Sequence, residues 1–381
     1  MKFNSLLIHG GIDGDLQTGA VNVPIYLTST YKQNGIGEHN GYEYSRTGNP
    51  TRAAVEKLIS DLESGVAGFG FASGMAAISA ILMLFKAGDK ILLSANVYGG
   101  TFRLIDKIFT NFNLEYELVD TSDTNTISQK ISPQVKALLI ETPTNPLMQI
   151  ADIAKLAKLA KEHNLLTIVD NTFMTPYLQK PIELGADIVL HSATKYLGGH
   201  SDLIAGLVVV NSSILAEKLH FIQNASGGVL SPFDSWLLIR GIKTLGVRME
   251  RHLANTRQIK DYLIKNDAFD KIYYPGLSDQ EHYKIQQNQA QDAGAIISFE
   301  LNIAYDLNQF LQKLELITLG ESLGGVESLI SHPATMTHAA IPEDIRGKLG
   351  ITNNLVRLSV GIEDIDDLIN DIENALLFSR N

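Results

Sequence analysis

The chain has no cysteine among its 381 residues. That absence removes disulfide bonds, thiolate metal sites and a cysteine nucleophile together. Positive charge is also short: 31 Lys and Arg stand against 42 Asp and Glu, a formal net charge of −11. Nucleic-acid binding needs a basic footprint, so no nucleic-acid partner is expected. No run approaches the roughly 18 uncharged apolar residues of a membrane span, so no membrane association is expected either. Residues 1–11 carry one early Lys and no long apolar stretch, which does not read as a signal peptide. The ten histidines show no metal-ligand spacing, so no metal is expected. Repeats and low-complexity tracts are missing. What is left is an ordinary globular balance, 45% hydrophobic and 19% charged. The length suits one large and one smaller domain, and a cytoplasmic enzyme is the expectation.

Residues 1–55 read as an irregular arm, rich in Gly, Asn, Thr and Tyr and too long for an ordinary loop, so it should pack on something. Over 56–242, strand-like and helix-like segments alternate. Helices are predicted at 51–62, 74–85 and 151–163. In the last of these Ile153, Leu156, Ala157 and Ala160 share a face and Asn164 sits at the C-cap. Short apolar runs at 90–94, 135–141, 165–169, 188–191 and 205–210 read as strands. Such alternation predicts an α/β fold, a mostly parallel mixed sheet with flanking helices. From 243 to 381 the pattern changes to a smaller α+β domain, led by a long helix over 243–265 and containing strands at 294–301 and 355–360. Asn49-Pro50 and His332-Pro333 read as turns.

In open α/β sheets, ligands sit beyond the carboxyl ends of the strands. Asn145, Asp170 and the group Ser192, Thr194 and Lys195 all fall at such places. The string His191-Ser192-Ala193-Thr194-Lys195-Tyr196-Leu197-Gly198-Gly199-His200 sets a lysine among small hydroxyl residues and glycines. Lysine there can form an imine with an aldehyde, because desolvation and nearby charge lower its pKa. The hydroxyls can donate to a phosphate, and the glycines let backbone approach closely. Asp170, 25 residues earlier and one strand over, is the carboxylate that pyridoxal 5′-phosphate (PLP) needs at its ring nitrogen. Gly74 and Met75 begin an apolar helical run whose backbone N–H groups form an anion site. Gly68 and Gly70 imitate part of a dinucleotide fingerprint, but no strand ending in an acid follows at the right distance. A dinucleotide site is rejected.

These motifs resemble the Cys/Met-metabolism family of fold-type I PLP enzymes, the trans-sulfuration enzymes. The resemblance spans nearly the whole chain. It rests on Tyr44-Ser45-Arg46, Gly48-Asn49-Pro50-Thr51-Arg52, Ser73-Gly74-Met75-Ala76, Tyr98-Gly99-Gly100-Thr101, Glu141-Thr142-Pro143-Thr144-Asn145-Pro146, Asp170-Asn171-Thr172, the Lys195 string, Glu321-Ser322-Leu323-Gly324-Gly325 and Arg357-Leu358-Ser359-Val360-Gly361. It implies that Lys195 binds PLP covalently and shuttles protons, and that Asp170 pairs with the ring nitrogen. It implies that Tyr98 stacks on the ring and acts as acid or base, while Gly74, Met75, Ser192 and Thr194 hold the phosphate. Tyr44 and Arg46 are implied to reach the neighbouring subunit's phosphate, in a homotetramer built from dimers that share active sites. Arg357, with Asn145 and Ser322, is implied to bind the substrate α-carboxylate.

The resemblance also narrows the reaction. Methionine γ-lyases usually carry cysteine where Gly100 stands. Glu43 and Glu327 take positions that, in cystathionine γ-lyase-like members, face the far end of the substrate; they read equally as solvated glutamates. The expected activity is α,γ-elimination from cystathionine, giving cysteine, 2-oxobutyrate and ammonia. Cystathionine β-lyase and then cystathionine γ-synthase are the alternatives, the last sharing Phe233-Asp234-Ser235-Trp236. A non-catalytic PLP-binding protein is the reading from another class, and the intact acid, base and carboxylate-binding set argues against it.

Overall fold

The structure is a computed structural model that describes residues 1–15, 17–278, 282–339 and 343–381. Within the arm, β1 (Gln33–Gly35) and β2 (Glu38–His39) form a small antiparallel hairpin. The central sheet contains β3 (Ala67–Phe71), β4 (Lys90–Ser94), β5 (Glu115–Val119), β6 (Val135–Glu141), β7 (Leu166–Asp170), β8 (Ile188–Ser192) and β9 (Gly206–Val210). Their spatial order is β3-β9-β8-β7-β6-β4-β5. The five strands from β8 to β5 run parallel, while β9 is antiparallel to both β8 and β3. Both faces are covered, each with its own apolar core. That is why strands such as Gly206–Val210 are apolar without alternation.

A second sheet takes β10 (Phe269–Tyr273), β11 (Ile296–Leu301), β12 (Thr318–Leu319), β13 (Leu329–Ser331) and β14 (Leu355–Ser359), in the order β10-β11-β14-β13-β12. Its separate core includes Ile259 and Leu263 from the helix Leu245–Ile264, and Leu368 and Ile372 from the helix Ile365–Leu377. The fold is thus the expected mixed sheet with flanking helices plus a smaller sheet. No helix among the described residues is long and apolar enough to cross a membrane.

Several boundaries differ from the sequence reading. The predicted helix over 243–265 starts at Leu245, because Lys243 already ends another helix, Pro232–Lys243; Thr244 separates the two. The arm is not wholly irregular: it opens with a helix, Phe3–His9, whose Leu7 is buried and whose Phe3 and Leu6 pack on the large core. The dinucleotide-like glycines Gly68 and Gly70 lie inside β3, a strand hidden from pattern reading by its glycines. At Gly68 a Cβ would stand 2.2 Å from the Glu56 carbonyl oxygen, so glycine permits close helix–strand packing. Asn49-Pro50 is a helix start. The Asn49 side chain accepts from the N–H groups of Thr51 and Arg52, with Pro50 in the first turn of Pro50–Leu62.

Arg52 on this helix is 2% exposed. It donates to the Ser45 carbonyl at 2.8 Å and the Arg46 carbonyl at 3.1 Å, and pairs with Glu56 at 3.3 Å. Burial pushes the Glu56 carboxyl up, and Arg52 pulls it back down. The segment carrying Tyr44 and Arg46 is therefore tied to this helix by a buried cation, with Asn49 donating to the Ser45 hydroxyl beside it. Arg52→Met should cost roughly 3 kcal/mol, because a buried charge loses its partner. Thermal unfolding should register the loss, and limited proteolysis should cut the arm around residues 40–48 faster than in the parent; an unchanged cleavage rate would show that other contacts hold the arm.

Candidate active site

The carboxyl ends of β6, β7 and β8 gather the polar residues. Glu141 and Asp170 end neighbouring strands directly opposite each other, and Ser192 ends the next strand. With the start of the helix Gly74–Leu82 they line a cavity of roughly 400 Å³, a cofactor-sized volume. Among the predicted residues, Gly74, Met75, Asp170, Ser192, Thr194 and Lys195 line it, and so do Tyr98, Asn145, Ser322 and Arg357. Tyr44, Arg46, Glu43 and Glu327 do not.

Lys195 follows β8 and is partly buried, and its Nζ donates to Ser322 Oγ at 2.7 Å. Burial first, and the Arg357 charge second, pull its pKa down to about 8. Ser322 holds a left-handed backbone, φ 104°, unusual for a residue with a side chain. Its carbonyl oxygen accepts from Arg357 Nη2 at 2.8 Å, while Arg357 Nη1 donates to Asn145 Oδ1 at 3.1 Å. Arg357 is 3% exposed, its Nε has no partner among the described residues, and burial lowers its pKa to about 10. A buried guanidinium with an unused donor is arranged to receive an anion.

Asp170 Oδ1 accepts from Thr172 twice, from the backbone N–H at 3.0 Å and from the hydroxyl at 2.5 Å. Burial pushes its carboxyl up, and the Thr172 bonds oppose that. No Lys or Arg pairs with it among the described residues. Thr172 Oγ1 also accepts from the Ser192 N–H at 2.8 Å, tying the two strand ends together. Ser73 caps the helix Gly74–Leu82 by accepting from the Ala76 N–H at 3.0 Å, leaving first-turn N–H groups for another acceptor. A Cβ at Gly74 would lie 3.1 Å from the Ser192 Cβ, so glycine lets that helix start and Ser192 close on each other. Thr194 is partly committed: its hydroxyl contacts the Ala205 carbonyl at 3.3 Å and accepts from the Ala205 N–H at 3.0 Å. Gly199, in the Lys195 string, makes room for protein and not for ligand; a Cβ there would meet the Arg248 guanidinium at 2.1 Å.

The four predicted residues outside the cavity have local partners. Arg46 donates to the Asn224 side chain at 3.0 Å and to its carbonyl, and stacks over Tyr44 with its charge 5.5 Å from the ring centre. Glu43 pairs with His39 at 3.1 Å. Glu327 accepts from the Ser201 hydroxyl.

Residues not singled out also line the cavity. Glu141 Oε2 accepts from the Tyr98 N–H at 2.7 Å and its Oε1 from the Asn145 N–H at 3.2 Å. Burial, then the neighbouring Asp170, raise its pKa to about 8. Its place at a strand end, beside the Asp170 strand, was the available signal. Thr172 was signalled by its position two residues after an aspartate, where a hydroxyl closes a local turn. Arg103, exposed and lining the cavity, has no ion-pair partner among the described residues, and nothing in its sequence context marked it.

A lysine of low proton affinity, a buried carboxylate awaiting a cation and a helix start beside hydroxyls suit one kind of ligand. It bears an aldehyde, a protonated ring nitrogen and a phosphate, which describes PLP. The fold and site thus define a PLP-dependent enzyme. The chain belongs to the Cys/Met metabolism PLP-dependent enzyme family, whose model matches residues 4–377. It is 56% identical to a cystathionine beta-lyase of Lactococcus lactis subsp. cremoris (strain MG1363), over 97% of both chains. It is 55% identical to a cystathionine gamma-lyase of Bacillus subtilis (strain 168), over 99% of both. Among solved structures, cystathionine gamma-lyase from Lactobacillus plantarum complexed with L-serine superposes with a TM-score of 0.98 at 55% identity, covering 100% of this chain and 99% of that one.

The depressed pKa of Lys195 can be read directly in cofactor-free protein. Because the shift is downward, the neutral amine is the main form above about pH 8. Site-resolved labelling by an amine-reactive reagent should give a Lys195 rate that climbs through about pH 8 and levels off by about pH 9, while exposed lysines still rise toward their ordinary value near 10.4. Identical profiles for Lys195 and the exposed lysines would remove the depressed value.

Proposed function

We propose that this enzyme cleaves cystathionine by α,γ-elimination, giving cysteine, 2-oxobutyrate and ammonia, with α,β-elimination as a secondary activity. PLP, when bound, supplies the electron sink that makes a proton on the substrate α-carbon acidic. Lys195 would hold it covalently, Asp170 would face its ring nitrogen, and the helix start at Gly74 and Met75 with Ser192 and Thr194 would face its phosphate. Tyr98, which lines the cavity, would cover the ring.

The chemistry asked of the chain's own residues is proton handling and placement. Arg357 grips the substrate α-carboxylate, with Asn145 and Ser322 at its side. Lys195, once free, takes the α-proton as a neutral amine. For γ-cleavage Lys195 then serves the β-carbon as well, and the Tyr98 hydroxyl donates to the departing sulfur. The observation that carries this reading is Lys195 itself: an amine with a pKa of about 8, 2.7 Å from a hydroxyl that can steady it between two carbons. Gly100 supports a role for Tyr98, since a Cβ at that position would come within 2.4 Å of the Tyr98 ring and force it to move. A cysteine there, as in methionine γ-lyases, does not suit this arrangement.

Cystathionine has a carboxylate and an amino group at each end. Arg357 takes the inner carboxylate. The unpaired Arg103 suits the outer one, and Glu327 near Ser201 is the acidic group for the outer amine. Cystathionine β-lyase is the second reading, favoured by the Lactococcus relative at 56% identity. Product analysis decides between them. Cysteine with 2-oxobutyrate supports the proposal, homocysteine with pyruvate as main products replaces it with β-cleavage, and net formation of cystathionine from an O-acyl-homoserine and cysteine replaces it with synthesis. In the same assay Arg103→Ala should raise KM for cystathionine about tenfold and leave KM for thioethers with a single carboxylate unchanged.

Tyr44 and Arg46 lie outside this chain's own cavity, on an arm that exposes Val21, Leu27 and Ile36. Exposed apolar side chains on a fastened arm suit a second copy of the chain. We assign Tyr44 and Arg46 to the phosphate of the neighbouring subunit, and Glu43 to the rim of that same site, in an assembly of dimers. Co-refolding inactive Lys195→Ala with impaired Arg46→Ala tests this. Shared sites restore activity, because one mixed pairing unites an intact Lys195 with an intact Arg46; a mixture no better than its parts would place Arg46 in its own subunit's site.

A further inference from the structure

Directly behind the cavity, on the other face of the central sheet, lies a buried polar cluster that the chemistry above does not use. Glu63, at the end of the helix Pro50–Leu62, is 0% exposed, and so is His191. Glu63 Oε1 receives two donors. His191 Nε2 lies 2.7 Å away and Asn171 Nδ2 donates at 2.9 Å. Asn171 is further held by Gln179, through Nδ2 to the Gln179 carbonyl at 2.9 Å and from Gln179 Nε2 at 3.1 Å. Glu63 Oε2 and His191 Nδ1 have no partner among the described residues. Around the cluster lies the apolar layer containing Leu62, Val169 and Val189.

Burying an acid here is costly, and one well-packed apolar pair of similar volume would hold the strands at least as firmly. The connectivity indicates what the cluster does. Asn171 follows Asp170, and His191 precedes Ser192. One carboxylate oxygen thus joins the two strand ends that carry the residue facing the ring nitrogen and a residue facing the phosphate. On the cavity face Thr172 joins the same two ends, bonding Asp170 and Ser192. The ends are stapled from both sides. Binding groups need placement to within about 0.5 Å, which a supporting layer of bonds provides.

We propose that Glu63 is a positioning residue which, through Asn171 and His191, sets the spacing between Asp170 and Ser192 and so the grip on PLP. This rests on the roles given above to Asp170 and Ser192. The test replaces the pair by apolar residues, Glu63→Leu with His191→Phe. PLP affinity is measured by absorbance titration of cofactor-free protein, which needs no turnover. The expected result is a dissociation constant about tenfold higher, in line with loss of outer partners at other binding sites, with the thermal midpoint retained. Glu63→Gln, which keeps an acceptor oxygen, should stay within about threefold of the parent on the same reasoning. An unchanged dissociation constant in the double variant, with Asp170→Asn still weakening PLP, overturns the proposal and leaves the site intact. If Asp170→Asn also binds PLP normally, the site reading itself fails. Should the double variant not fold, Asn171→Ala decides: it removes one arm of the staple and should weaken PLP, and unchanged binding overturns the proposal.

Discussion

Two carboxylates buried side by side are the constraint on which this site rests. Glu141 and Asp170 end adjacent parallel strands in direct register, so backbone pairing fixes their proximity. Burial raises the pKa of both carboxyls, and the Asp170 charge raises Glu141 further. The chain separates their roles by giving them different donors. Glu141 receives backbone N–H groups from Tyr98 and Asn145, one on each oxygen, and holds two loops. Among the described residues Asp170 receives only Thr172, on one oxygen. A cofactor with a cationic ring nitrogen is the complement that this pair lacks.

From Glu141 the order spreads outward. Asn145, held by its backbone, offers its side chain to Arg357, and Arg357 in turn holds the carbonyl of Ser322. Ser322 holds Lys195. A carboxylate arriving at Arg357 would compete with Asn145 and Ser322 for the same guanidinium N–H groups. Carboxylate recognition and the position of the lysine are therefore connected through three bonds, and a left-handed Ser322 backbone lies in the middle of them. Strain at such a residue persists only where its surroundings hold it, and here Lys195 and Arg357 hold it.

Much of this was legible because the strand-end rule needs only local information. Short apolar runs located β6, β7 and β8, and the polar residues just beyond each run were the ones that converge. Long-range partners were not legible. Nothing near Arg103 in sequence reveals that its helix faces the cavity. Glu63 lies just past the predicted helix over 51–62, and only the packing of that helix on the sheet shows that it meets His191, 128 residues away. Strand β3 was lost for the opposite reason: its glycines, which permit close packing on the helix Pro50–Leu62, erase the β-branched signature of a strand. Of the Lys195 string, Ser192, Thr194 and Lys195 itself do line the cavity, but its glycine Gly199 faces the buried guanidinium of Arg248. A glycine's role depends on what approaches it, and that is a property of the fold.

The helix Pro50–Leu62 unites these separate features. At its first turn Asn49 and Arg52 fasten the arm that carries Tyr44 and Arg46. At its last residue it leads to Glu63 and the back of the cavity. Between these ends Leu58, Ile59 and Leu62 are fully buried, and apolar side chains of this size contribute roughly 1.5–3 kcal/mol each. Thirteen residues at 1.5 Å per residue give a rod about 20 Å long. One end of that rod holds the arm through Arg52, and the other end meets Asn171 and His191 behind the cavity. A shift of the helix that improved one contact would disturb the other. Its dense apolar packing gives the helix no low-cost alternative position, so the arm and the back of the cavity are held by one rigid element.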